Sequence, residues 1–93
     1  MVIVSVIAVA ACTAGPPVQE MSDARQAIAV AREAGAAELA PEDLREAEAY
    51  LESAQRNLSR RAYKEARTDA VQAKLKAQDA LASAANSGET EPR

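Results

Sequence analysis

From Tyr63 onward one face of the chain reads Tyr63, Ala66, Ala70, Ala73, Ala77, Ala80, Ala84, with alanine at every step after the first. No other feature constrains the fold as tightly. Spacing of three and four residues places the set on one stripe of an α-helix. A stripe bearing only methyl groups lets a neighbouring helix approach closely and cross at a shallow, coiled-coil-like angle. Two similar stripes precede it. Met21, Ala24, Ile28, Ala31 and Gly35 form the first, and Leu44, Ala47, Leu51, Ala54 and Leu58 form the second.

The breaks between stripes follow from local chemistry. Ala40-Pro41 ends the first segment, because a residue preceding proline disfavours helical geometry. Pro41 then suits the first turn of the next helix, where Glu42 and Asp43 complement its positive dipole end. Arg56, Arg60 and Arg61 gather at that helix's C-terminal end, which favours cations. Between Ser59 and Ala62 there is neither glycine nor proline, so one continuous helix from Pro41 to Ala85 is the alternative. The pattern therefore predicts an all-α fold, an antiparallel bundle of three helices at about 20–38, 42–60 and 62–86. Residues 87–93 are expected as a disordered tail.

Composition limits what such a bundle can bury. The 93 residues include no Phe, no Trp and two Tyr. The larger apolar side chains offered to a core are Met21, Ile28, Val30, Leu39, Leu44, Tyr50, Leu51, Leu58, Tyr63, Val71, Leu75 and Leu81. A small domain so short of large apolar residues is expected to be marginally stable alone and to gain from self-association or a partner.

Several function classes drop out at this level. The net charge is −3 and no basic run is interleaved with aromatics, which argues against nucleic-acid binding. A single cysteine forms no internal disulfide. The absence of histidine removes His-based nucleophile and zinc arrangements. Glu42/Glu46 and Glu48/Glu52 are i,i+4 carboxylate pairs, but acid–base chemistry needs a pocket that shifts one of the two pKa values. They read as a solvated face. The expectation is a non-enzymatic protein with no cofactor, no metal and no small-molecule substrate.

The N-terminal segment carries the most specific signal. Val2 to Ala11 is apolar except for Ser5. It is too short to span a bilayer, which takes about 20 apolar residues as a helix. Its length fits the core of a secretory signal peptide over residues 1–11. The basic residues that normally precede such a core are missing, which points to an upstream start or a weak signal. Val9-Ala10-Ala11-Cys12 resembles the lipobox of bacterial lipoproteins. The resemblance implies that Cys12 becomes the lipid-bearing mature N-terminus, with residues 12–19 as a proline-containing tether to the domain. Thr13 after the cysteine, by analogy with enteric lipoproteins, points to the outer membrane.

Two resemblances concern the helical part. Arg61-Ala62-Tyr63-Lys64-Glu65-Ala66 is similar to the turn and second-helix start of a tetratricopeptide repeat, with Tyr50, Ala54, Ala66 and Ala73 on repeat positions. Ser53 and Asn57 depart from that pattern, standing where apolar or aromatic residues belong. One such hairpin is present, whereas solenoids need about three repeats. Leu39-Ala40-Pro41-Glu42-Asp43-Leu44 and Tyr63-Lys64-Glu65-Ala66, with the lipobox and tether, resemble a family of small alanine-rich bacterial lipoproteins. Its shared helical domain has no known function. The resemblance implies the cell envelope and no activity.

Surface candidates follow from charge and aromaticity. Arg60, Arg61 and Lys64 lie near the second turn, which in an up-down-up bundle falls at the end where helix one begins. They are candidates for contact with a membrane surface, set against the plainer reading of a solvated helix end whose charges answer the dipole and neighbouring carboxylates. Tyr50 and Tyr63 are candidates for partner contact, or else cover the ends of the core. Asn57-Leu58-Ser59 matches a glycosylation sequon and reads as incidental in a bacterial helix. The functional expectation is a membrane-tethered envelope lipoprotein facing the periplasm, structural or an adaptor for another envelope protein. The alternative is a tetratricopeptide-like peptide-binding module.

Overall fold

A computed structural model describes residues 15–89; the expected signal peptide, Cys12, the first part of the tether and residues 90–93 lie outside them. Four helices follow in order: α1 (Val18–Glu33), α2 (Ala36–Leu39), α3 (Pro41–Ser59) and α4 (Tyr63–Glu89). The three long ones form the expected bundle. Glu20 of α1 pairs with Arg67 of α4, both near the starts of their helices, so α1 and α4 run parallel. Ser53 meets Asp69, Lys76 meets Glu46, and Ser83 meets Asp43, so α3 runs antiparallel to α4.

The alanine stripes meet in the interior. Among the described residues, twelve of the sixteen buried side chains are alanine, the others being Pro17, Met21, Ile28 and Leu44. Ala66, Ala70, Ala73, Ala77, Ala80 and Ala84 are all buried, which makes α4 the central helix, seated against both α1 and α3. Leu51 packs on both stretches of the core and joins them. Not all the larger apolar residues enter it. Val30, Leu39, Val71 and Leu75 are exposed, because each sits one step or more off its stripe. Val71 and Leu75 line a shallow groove between α1 and α4 instead.

The first expected helix, 20–38, is not continuous. It begins two residues earlier, at Val18, and stops at Glu33. Gly35 adopts φ 87°, a left-handed conformation open to glycine at little cost, and its N–H bonds the Arg32 carbonyl at 2.9 Å. The chain then makes the short turn α2, burying Ala36 before Ala40 (φ −145°) leads into Pro41. Gly35 thus belongs to the turn and not to the stripe on which its size and spacing placed it.

The continuous-helix alternative is also set aside. α3 ends in a Schellman motif: the Ala62 N–H bonds the Asn57 carbonyl at 2.8 Å and the Arg61 N–H bonds the Leu58 carbonyl at 3.0 Å. The left-handed residue that closes it is Arg61, at φ 62°, where glycine is usual. A side chain there costs about 1–2 kcal/mol. α4 starts at Tyr63 and runs through Glu89, three residues beyond the expected end at 86 and into the segment expected as tail.

Candidate functional site

The chain enters the bundle at the end formed by the starts of α1 and α4 and the α3–α4 turn. Pro17, the N-cap of α1, is fully buried, and the Met21 N–H bonds its carbonyl at 3.0 Å. Arg67 secures this entry. Its Nε donates to Glu20 Oε2 at 2.8 Å and an Nη donates to the Gly15 carbonyl at 3.1 Å. Both ion-pair partners are about a quarter to a third exposed, which screens the pair less than an open surface would. The hydrogen bond from Arg67 lowers the Glu20 pKa below its ordinary 4.5, with help from a backbone hydrogen bond. Within the expected tether of residues 12–19, Gly15 is therefore bonded to the domain and Pro17 buried against it, while Val18 and Gln19 already belong to α1.

Arg60, Arg61 and Lys64 project at this same end, as the up-down-up reading expects, and all three are exposed. From Ser53 to Thr68 the bases Arg56, Arg60, Arg61, Lys64 and Arg67 face the single acid Glu65. The far end is acidic: Glu33, Glu38 and Glu42 are exposed there, and Asp43 accepts a hydrogen bond from Ser83. With Asp43 beside Ser83, the two ends lie roughly twenty residues apart along α4, about 30 Å at about 1.5 Å per residue.

The two tyrosines do not form one site. Ser53 lies opposite Asp69 and Glu46 opposite Lys76, so Tyr50 is level with Gln72 of α4. That is nine residues, roughly 13 Å, along α4 from Tyr63. Both are half-buried. Tyr50 lines an open cleft between α3 and α4 with Glu46, Ser53, Asp69 and Lys76. In that cleft the Glu46 carboxylate, hydrogen-bonded to the Lys76 ammonium at 3.1 Å, raises the lysine's pKa.

Ser53 and Asn57 find their explanation here. Ser53 Oγ and Asn57 Nδ2 both donate to Asp69 Oδ2, at 2.6 and 2.8 Å. Two polar residues that break the tetratricopeptide pattern on α3 thus answer one carboxylate on α4. Sequence reasoning did not link them, because the partner lies beyond the turn and no local spacing marks it.

The α3 carboxylates Glu42, Glu46, Glu48 and Glu52 line no enclosed pocket. Glu48 pairs with Arg32, Glu46 with Lys76, and Glu52 with Arg56. Among the described residues, no group of acidic side chains is arranged to hold a metal ion, and no helix is long and apolar enough to cross a membrane.

No curated protein and no solved structure matches this sequence. A family model does, across nearly the whole helical part. Residues 19–91, which take in α1 to α4 almost entirely, match Domain of unknown function (DUF4398), and the chain belongs to that family.

Proposed function

We propose that this chain is a non-enzymatic lipoprotein of the bacterial cell envelope, held on a membrane through lipid on Cys12. Its helical domain faces the periplasm in a structural or adaptor role. The observation that carries this reading is the order of elements before the domain. An apolar ten-residue core leads to Val9-Ala10-Ala11-Cys12, and a short proline-containing segment follows. Acylation suits so small a domain, since two or more acyl chains anchor a protein stably where one does so only marginally.

The docked entry segment is consistent with an anchored role. With Gly15 held by Arg67 and Pro17 buried, only Thr13 and Ala14 separate Cys12 from residues packed on the bundle. An anchor at Cys12 would then hold the domain close to its membrane, with the α1/α4 end inward. Thr13 favours the outer membrane, and the partner is another envelope protein or a second copy.

Mass spectrometry of the mature protein tests the reading. An N-terminal Cys12 carrying acyl chains is the expected result, with Cys12→Ala released from the membrane fraction. An intact Met1 and a free Cys12 thiol in the cell-derived protein would sink it. Crosslinking in cells from the helical domain then identifies the partner.

A further inference from the structure

The geometry points to the α3–α4 turn as a docking surface for anionic lipid headgroups, with Arg60, Arg61 and Lys64 as the contacting cations. The first ground is that these charges are unspent within the domain. Arg32, Arg56, Arg67 and Lys76 are each held in an ion pair, with Glu48, Glu52, Glu20 and Glu46. Among the described residues, Arg60, Arg61 and Lys64 have no ion pair or side-chain hydrogen bond; Arg25, Arg45 and Lys74 have none either, but they lie apart on three helices, whereas these three are neighbours on one turn.

The second ground is that local helix electrostatics accounts for the two arginines but not for Lys64. Arg60 is the C-cap of α3, where the negative end of the dipole favours a cation. Lys64 is in the first turn of α4, where the positive end opposes one. Arg61 occupies a left-handed position that glycine would fill without strain. A turn that only reverses the chain has no use for a cation at the one position or for a side chain at the other. Strain of this kind at an exposed, charged residue is a reason to seek a function there.

The third ground is direction. The turn shares its end of the molecule with Gly15, where the chain runs back towards Cys12, and with the N-termini of α1 and α4, two positive dipole ends against the one negative end of α3. Val18, 71 % exposed, is the most exposed large apolar residue described and opens α1 at this end. A cation cluster with an apolar neighbour fits a headgroup layer better than it fits open water. The acidic residues Glu33, Glu38 and Glu42 at the far end would be repelled, so an anionic bilayer would stand the long axis upright. A net charge of −3 makes this end-to-end asymmetry the source of any attraction.

The proposal rests on the lipoprotein reading only for the membrane that the turn meets, and its test does not use the lipid. The full chain bearing Cys12→Ser is mixed with vesicles of phosphatidylcholine, with and without phosphatidylglycerol, and bound protein is measured by sedimentation. Partition should be stronger with phosphatidylglycerol and should fall as salt is raised. Each base near such a surface contributes enough that removing all three, as Arg60→Gln, Arg61→Gly and Lys64→Gln, should weaken partition on the order of a hundredfold. Arg61→Gly also relieves the strained turn, and circular dichroism checks that the helices persist.

A second variant removes the same charge elsewhere, as Arg25→Gln, Arg45→Gln and Lys74→Gln, and should retain most of the binding lost by the first. Equal losses in the two variants would reduce the effect to net charge and overturn the proposal. So would undiminished binding in the first variant, or equal binding to both kinds of vesicle. Displacement by inorganic phosphate at matched ionic strength would also overturn it, by revealing a phosphate site in place of a surface. Because the chain used cannot be acylated at Cys12, a negative result leaves the anchor standing, and an unacylated native protein leaves this result standing.

Discussion

Arg67 and Glu20 meet at 2.8 Å across 47 residues of sequence, and the same guanidinium holds the carbonyl of Gly15. One side chain of α4 thus fixes both the start of α1 and the segment that precedes it. The pair has a consequence for acid stability. The folded-state pKa of Glu20 is below its ordinary 4.5, so the pair's contribution is complete above that value. It is lost as pH falls through the lowered folded-state value. Urea unfolding of the protein and of Glu20→Gln should differ most above pH 4.5 and converge in stronger acid. A gap that widens on acidification would contradict the assignment.

The two left-handed turn residues should respond in opposite ways. Arg61→Gly removes a clash, and despite the added freedom of the unfolded chain it should stabilise the protein by about 0.5–1 kcal/mol. Gly35→Ala introduces that clash, and should destabilise by about 1–2 kcal/mol. The added methyl itself is not the problem, since the nearest side-chain atom, Leu39 Cδ1, would lie 3.5 Å away. Thermal melts of both variants provide the comparison.

Enlarging the central seam should be more damaging than trimming the flank. Ala77 is fully buried where α4 meets the core, so Ala77→Leu should cost about 1–3 kcal/mol through overpacking. Leu75 is 46 % exposed, and Leu75→Ala should cost less than about 1 kcal/mol. Denaturant midpoints would reverse this order if α4 were not central.

Asp69→Ala should cost about 1–2 kcal/mol, because it leaves both Ser53 and Asn57 without their acceptor in a partly buried position. Replacing all three together by Ala or Leu should recover much of the loss, since no polar group is then stranded. Non-additivity in a mutant cycle measures it.

Much of the fold was legible because helical spacing and methyl size are local properties. The Ala66–Ala84 stripe is buried at every alanine, and Ala40-Pro41 marks the start of α3 as expected. What was not legible depended on alternatives of similar energy or on distant partners. Gly35 is small enough to pass for a stripe residue, and only its backbone angle shows that it ends α1. Arg61 closes a turn that ordinarily announces itself with glycine. Hydrophobicity alone offers Val71 and Leu75 to a core that their angular position on α4 keeps them out of. At the basic turn, sequence marked the charges. It could not reveal that Arg32, Arg56, Arg67 and Lys76 find carboxylates while the neighbouring Arg60, Arg61 and Lys64, like the scattered Arg25, Arg45 and Lys74, do not.

The alanine seam of α4 has one further effect. A row of methyl groups looks nearly the same after a slip of one turn, about 5.4 Å. The seam therefore holds the helices together without telling them where to stop. That information sits beside it, in pairs that fit at one setting only: Ser53 and Asn57 on Asp69, Glu46 on Lys76, Asp43 on Ser83, Glu20 on Arg67. In this protein the apolar contact works as a smooth rail, and its polar flank supplies the detents.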